Sequence, residues 1–242
     1  MSPTANGVVA MRVIGLLGGM SWESTAEYYR IINQEIRRRL GRQHSAKILM
    51  YSVEFEEIEE MQVAGQWDRA GQLLAEEAQR LERGGADFLL LCTNTMHKVA
   101  PAIEQAIQIP LIHIADATAE RIRQANLRRV GLLGTRFTME EDFYRGRLTE
   151  QHGLEVLIPT PGDRAVVDRV IFAELCQGQI LEPSRQEYVR IIEALGREGA
   201  EGVVLGCTEI GLLIKPEHSP LPVFDTTQIH AEKGVQLALA EV

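Results

Sequence analysis

The sequence predicts an α/β protein of two similar units, each a central parallel sheet flanked by helices, related to one another by pseudo-two-fold symmetry. Three observations lead there. Apolar runs of strand length alternate with stretches of helical spacing, as expected for parallel strands covered on both faces. The stretch Leu81-Glu82-Arg83-Gly84-Gly85-Ala86-Asp87-Phe88-Leu89-Leu90-Leu91-Cys92-Thr93 lies without a gap on Leu195-Gly196-Arg197-Glu198-Gly199-Ala200-Glu201-Gly202-Val203-Val204-Leu205-Gly206-Cys207. Arg129-Val130-Gly131-Leu132-Leu133-Gly134-Thr135 also echoes Val13-Ile14-Gly15-Leu16-Leu17-Gly18-Gly19; Gly15 precedes Cys92 by 77 positions, and Gly131 precedes Cys207 by 76.

In chain order, Met1 to Ala10 reads as a polar leader or frayed terminus. Arg12 to Met20 is a short buried strand running into a glycine turn. Ser21 is placed as an N-cap, and Ser24 to Leu40 carries Tyr28, Ile31, Ile32, Ile36 and Leu40 at helical spacing. A strand feeding a capped helix aims backbone N–H groups and the positive helix end at an anion. The spacing Gly15-x-x-Gly18-Gly19 is not a dinucleotide fingerprint. Ala46 to Val53 is the second strand, and the acidic Glu54 to Gln62 is a loop or a short helix. Trp67 to Arg83 is a helix with Ala70, Leu73, Leu74, Ala78 and Leu81 on one side, stopped by Gly84-Gly85. A strand over Leu89–Thr95, a helix from about Met96 to Ala106 and a strand from Ile109 to Ile114 follow.

The second unit repeats the pattern from Arg129. Its closing strand, Leu221-Pro222-Val223-Phe224, corresponds to Ile109-Pro110-Leu111-Ile112, and a helix follows each, from about Asp225 and about Asp116. The expected division is 1–113 plus 225–242 for the first domain and 114–224 for the second, with the site at their interface.

At 242 residues, 45% hydrophobic and 24% charged, the chain reads as an ordinary soluble globular protein. A net charge of −9 argues against a nucleic-acid partner. No apolar stretch approaches the roughly 20 residues that cross a bilayer, and nothing resembles a signal peptide, so no membrane association is expected. Three scattered cysteines make no disulfide framework, which points to a reducing cytoplasm. His97, His113 and His230 lack paired metal-ligand spacing, so no metal is expected.

Ligands of open parallel sheets bind beyond the carboxyl ends of the strands. The repeat matches Thr93 with Cys207 at such ends, so the two oppose one another across a cleft if the halves face each other. The alternative is a duplication with no shared site. Cys207 ends the run Val203-Val204-Leu205-Gly206, and the helix after it is expected to lower its pKa. Strand alternation sends Cys92 to the face opposite Thr93, a packing position. Cys176 also reads as packing. Asn94 and Thr95 stand at a helix start, where side chains and N–H groups can hold a carboxylate or simply cap. Glu209 can orient or help ionise a substrate amine.

Gly18-Gly19-Met20-Ser21, Thr93-Asn94-Thr95, Gly206-Cys207-Thr208-Glu209 and Phe224-Asp225-Thr226-Thr227 together resemble the aspartate/glutamate racemase family. The resemblance runs from Val13 to the end. It implies two Rossmann-like halves, a site between them, an amino-acid substrate, a homodimer and no cofactor, pyridoxal phosphate included. It also implies a two-base exchange of the α-proton between two thiols, in which Met20 and Ser21 line the first loop, and Asn94, Thr95 and Thr208 hold the α-carboxylate. Gln62 resembles a substrate-contact position. Here Thr93 replaces the first thiol, and a hydroxyl is a far weaker acid, so its alkoxide is scarcely available as a base near neutral pH. Aspartate-directed members carry an arginine after the second strand and a lysine before a glycine in the second half. This chain has Val53-Glu54-Phe55-Glu56-Glu57 and Leu175-Cys176-Gln177-Gly178 instead. A broad or neutral-polar substrate range is expected. The alternatives are a one-thiol decarboxylase or isomerase, and a non-catalytic small-ligand module.

Overall fold

The computed structural model describes residues 11–240, so the leader expected over residues 1–10 lies outside the described residues. The first half comprises β1 (Ile14–Gly18), α1 (Trp22–Leu40), β2 (Ile48–Ser52), α2 (Phe55–Val63), α3 (Trp67–Arg83), β3 (Phe88–Leu91), α4 (Ala100–Ala106), β4 (Leu111–Ile112) and α5 (Ile114–Gln124). The second comprises β5 (Arg129–Gly134), α6 (Arg136–Glu140), α7 (Asp142–Gly146), β6 (Glu155–Leu157), α8 (Pro161–Ala173), α9 (Glu182–Arg197), β7 (Gly202–Gly206), α10 (Ile210–Leu213), β8 (Val223–Asp225) and α11 (Thr226–Leu239). The strands form two four-stranded parallel sheets, ordered β2-β1-β3-β4 and β6-β5-β7-β8. The two orders are the same permutation, so the repeat in sequence is a repeat in topology.

Central strands are apolar throughout because both of their faces are covered. Leu17, Leu89 and Leu91 pack under α3 with Leu74 and Ala78, while Ile14, Leu16 and Leu90 pack under α1 with Tyr28 and Ile32. Gly15 and Gly131, matched in the repeat, both stand where a Cβ would enter a leucine, 2.3 Å from Leu89 Cδ2 and 2.8 Å from Leu195 Cδ1. Close approach is what these two positions need. Gly19 differs: at φ +95° it makes the turn after β1, with the Val53 carbonyl 2.4 Å from where a Cβ would sit.

The closing helices change partners. Ala231, Val235 and Ala238 of α11 pack with Ile14, Leu16 and Leu90 of the first sheet. Ile114, Ala119 and Ile122 of α5 pack with Val130, Leu132 and Val204 of the second. His113 and Asp225 cap these helices at the crossovers, accepting from Ala115 N at 3.2 Å and from Thr227 N at 2.9 Å.

Local differences from the sequence reading have physical causes. The acidic segment after β2 is helical because the Glu54 carboxylate caps it, accepting from Glu56 N and Glu57 N at 3.2 and 2.9 Å. Strand β3 stops at Leu91 rather than Thr95: Cys92 N–H still donates to Leu17 O, but Thr93 N–H turns back to Leu91 O at 2.9 Å. A 3₁₀ turn over Thr95–Val99 then precedes α4. Among the described residues no helix is long and apolar enough to cross a membrane, and no group of three His, Cys, Asp or Glu could hold a metal ion.

Candidate active site

The loops leaving β3 and β7 carry Thr93-Asn94-Thr95 and Cys207-Thr208-Glu209, all buried. Both triplets line one cavity. Met20 and Gln62 join it from the first half, Thr135 and Cys176 from the second, and Phe55, Ile171 and Phe172 supply apolar wall. Including its open mouth the cavity holds ≈ 350 Å³ of non-atom space, but the centre of a water molecule has only ≈ 20 Å³ in which to move. That suits about one water; Phe55 and Phe172 of the wall are half-buried.

Glu209 is the hub of the site. Its Oε1 accepts from the Ser21 hydroxyl at 2.7 Å and the Ser21 N–H at 3.3 Å, and its Oε2 accepts from the Cys207 thiol and the Thr208 hydroxyl at 2.9 Å each. One carboxylate oxygen therefore serves each half. This explains why Ser21, at the cap position of α1, makes no side-chain cap bond. Its hydroxyl is committed across the cleft.

The Cys207 pKa runs opposite to expectation. Burial pushes the thiol well above its usual range, and the Glu209 charge adds to the rise. The following helix, α10, has only four residues and does not offset this. The thiol is thus protonated at neutral pH and donates to Glu209.

Asn94 Nδ2 donates to Thr226 Oγ1 at 3.0 Å, and Thr226 in turn donates to the Leu205 carbonyl at 2.7 Å. Asn94 Oδ1 is buried with no partner. Thr95 Oγ1 lies 3.0 Å from Thr135 Oγ1, a hydroxyl pair that crosses between the halves. Gln62 Nε2 donates to Met96 Sδ at 3.1 Å. Trp22 is 67% exposed and does not line the cavity.

Behind β3, three histidines hold backbone. Ile114 N–H must donate to His97 Nε2 (3.2 Å), so Nδ1 carries the proton and donates to the Thr93 carbonyl at 2.7 Å. His230 Nε2 donates to Ile112 O at 2.7 Å, leaving Nδ1 to accept from the Tyr28 hydroxyl at 2.8 Å. Burial drives the His97 pKa well below the ordinary value, that of His113 to about 3 and that of His230 to about 4. All three rings are neutral and structural.

Cys92 packs in the core beneath α1 and α11. Cys176 packs at the edge of the second core yet also lines the cavity. Burial, then the charges of Glu209, Glu23 and Glu59, raise its pKa. Sequence reasoning missed Phe55, Thr135, Ile171 and Phe172. Thr135 was within reach, because the repeat places it at the end of β5 as Gly19 stands at the end of β1.

The model of the Asp/Glu/hydantoin racemase family matches residues 17–234. The chain is 23% identical over 231 residues to a broad specificity amino-acid racemase, RacX, of Bacillus subtilis, covering 94% of this chain and 99% of that one. A Yersinia pestis crystal structure whose Asp/Glu racemase assignment is provisional is 54% identical, with a TM-score of 0.88 over 95% of this chain and 100% of the other. The structure of an aspartate racemase homologue from Pyrococcus horikoshii OT3 is 37% identical, with a TM-score of 0.80 over 94% and 99% of the two chains. With the matched model spanning both sheets and both strand-end triplets, the chain belongs to the Asp/Glu/hydantoin racemase family.

Proposed function

We propose that the chain is a cofactor-independent amino-acid racemase that exchanges the α-proton between Cys207 and Thr93. One observation carries this reading: a thiol from the end of β7 and a hydroxyl from the end of β3 line the same buried cavity. The α-carboxylate is assigned to Asn94, Thr95 and Thr208, with Met20 and Ser21 forming the first loop and Gln62 a wall contact. The orphaned Asn94 Oδ1 supports a polar ligand beside it, the α-ammonium being the donor within the substrate.

The two faces are chemically unequal. Cys207 donates its proton to Glu209, so the thiolate forms when that carboxylate takes the proton at 2.9 Å. The thiolate then removes the α-proton. Thr93 has no comparable acceptor; its hydroxyl passes a proton to the carbanion and takes one in turn from water, so that no alkoxide is left, and the proton held by Glu209 returns to solvent. Exchange of the α-hydrogen with solvent is therefore faster for the enantiomer whose α-hydrogen faces Cys207, while kcat/KM for racemisation is equal in the two directions because the enantiomers are equal in free energy. A panel of amino acids in deuterated water, followed by loss of the α-proton signal, tests the activity with C207S as the inactive control. Equal exchange rates for the two enantiomers would remove the asymmetry.

Replacement of the first thiol by Thr93 also favours one second reading, a decarboxylase or isomerase that needs a single protonation. Release of carbon dioxide without racemisation would select it. The homodimer implied by the family belongs to the proposal and predicts sedimentation at twice the 27.0 kDa of one chain.

A further inference from the structure

We propose that His97 is a positioning residue for the proton exchange, holding the Thr93 hydroxyl at a fixed place opposite Cys207. The inference rests on the racemase reading, which gives Thr93 its role, and adds a buried residue that does not line the cavity. The need for it lies in the backbone. An α-helical turn after β3 would pair the His97 N–H with the Thr93 carbonyl. The turn over Thr95–Val99 is a 3₁₀ one, and His97 N–H donates to Asn94 O at 3.1 Å instead. The Thr93 carbonyl takes its hydrogen bond from the His97 ring, whose Nδ1–H donates at 2.7 Å. Thr93 N–H is held by Leu91 O at 2.9 Å. Both peptide groups of Thr93 are thereby fixed, and its β-branched side chain adds stiffness at χ1.

The other half holds its own catalytic loop differently. There Ile210 N–H takes the Cys207 carbonyl at 3.1 Å. Carried past Cys207, the overlay of the two halves matches His97 with Gly211, where a Cβ would lie 2.2 Å from Asp225 Oδ2. No ring fits there, so the imidazole clamp belongs to the hydroxyl face alone.

His97 is itself anchored. Its Nε2 accepts from Ile114 N–H at 3.2 Å, at the start of α5. Ile114 packs with Val204 of β7, the strand that leads to Cys207. The ring thus ties the loop carrying the hydroxyl to the sheet carrying the thiol. His113 lies against it, with ring centroids 4.3 Å apart. Burial first, and then His113, His230 and Arg147, keep its pKa well below the ordinary value, so it presents one donor and one acceptor. Such support decides rate, because a reacting group misplaced by about 1 Å can cost ~100-fold.

Two amide variants separate positioning from packing. An asparagine amide reaches where Nδ1 stands and can still donate to Thr93 O; a glutamine amide reaches where Nε2 stands and serves only Ile114 N–H. The D and L forms of the proteinogenic amino acids are incubated in deuterated water, with loss of the α-proton read by NMR and inversion by chiral chromatography. For the enantiomer whose α-hydrogen faces Cys207, H97Q should raise the ratio of exchange to inversion about tenfold, because Cys207 still removes the proton while delivery by Thr93 is impaired. H97N should leave that ratio close to that of the unaltered protein, and H97Q added to T93A should not change it further. A histidine that only supports the fold would lower exchange and inversion together in both variants. That result, or a further change over T93A, would overturn the inference and leave the racemase reading standing. The tautomer needs no variant: imidazole nitrogen NMR shifts should show His97 protonated on Nδ1, and protonation on Nε2 would also overturn it. Exchange of no amino acid by the unaltered protein would remove the racemase reading and the inference with it.

Discussion

Lowering the pH from 7.5 to 5 should destabilise the protein by several kcal/mol through the histidines behind β3. His113 and His230 have folded pKa values of about 3 and about 4, set by burial, and His97 lies well below its ordinary value. In the unfolded chain each titrates near ~6.5. The unfolded state therefore binds more protons between those values, so the stability is fully present above ~6.5 and is lost as pH falls. At pH 5 the unfolded chain gains about 2 kcal/mol from each of His113 and His230, hence about 4 kcal/mol from the pair, before His97 is added. The groups facing the cluster do not reverse this. The Arg147 guanidinium further disfavours the protonated forms of His97 and His113, and Asp116 is held by Arg147 and His152. Urea denaturation followed by the fluorescence of Trp22 and Trp67 at pH 7.5, 6.5, 5.5 and 5.0 measures the slope. H230Q, whose amide can both donate to Ile112 O and accept from Tyr28, should remove about one proton from it. Stability that is flat or rising from pH 6.5 to 5 would refute the assignment of neutral buried rings.

Three other outcomes follow from the site and its scaffold. T93C supplies a thiol on the weaker face, so the exchange rates of the two enantiomers should converge; an unchanged ratio would show that Thr93 does not face the α-carbon. E209Q removes the charge that helps hold the Cys207 proton, so the pKa should fall and alkylation of the Cys207 peptide, read by mass spectrometry, should begin at lower pH; a shift upward would contradict the role given to Glu209. G211A places a Cβ 2.2 Å from Asp225 Oδ2, the carboxylate that caps α11, and should cost about 1–3 kcal/mol in thermal unfolding, more if the cap is lost. An unchanged melting temperature would contradict that packing.

Much of the fold was legible because burial on both faces leaves a coarse signal: two or three apolar residues in a row and then a glycine in β1, β5 and β7, and four in a row in β3. The repeat did the rest, since Gly15 and Gly131 are small for the same packing reason. Local rules failed where side chains act at a distance. Ser21 has the residue type of an N-cap, but its hydroxyl goes to Glu209, 188 positions away. The Cys207 pKa reversed for a related reason: a helix after the cysteine is visible in sequence, whereas the length of that helix, the depth of burial and the carboxylate's orientation are not. The apolar walls came from α2 and α8, whose faces look like ordinary core stripes until their neighbours are known.

Because each closing helix leaves the sheet built by its own strands and coats the other one, neither lobe possesses a full apolar covering by itself. A gene cut after Asn126 would strip α11 from Ile14, Leu16 and Leu90, and its complement would lack α5 over Val130 and Leu132. The two lobes are thus obliged to fold as one cooperative unit, and separately expressed fragments should recover native structure only when mixed.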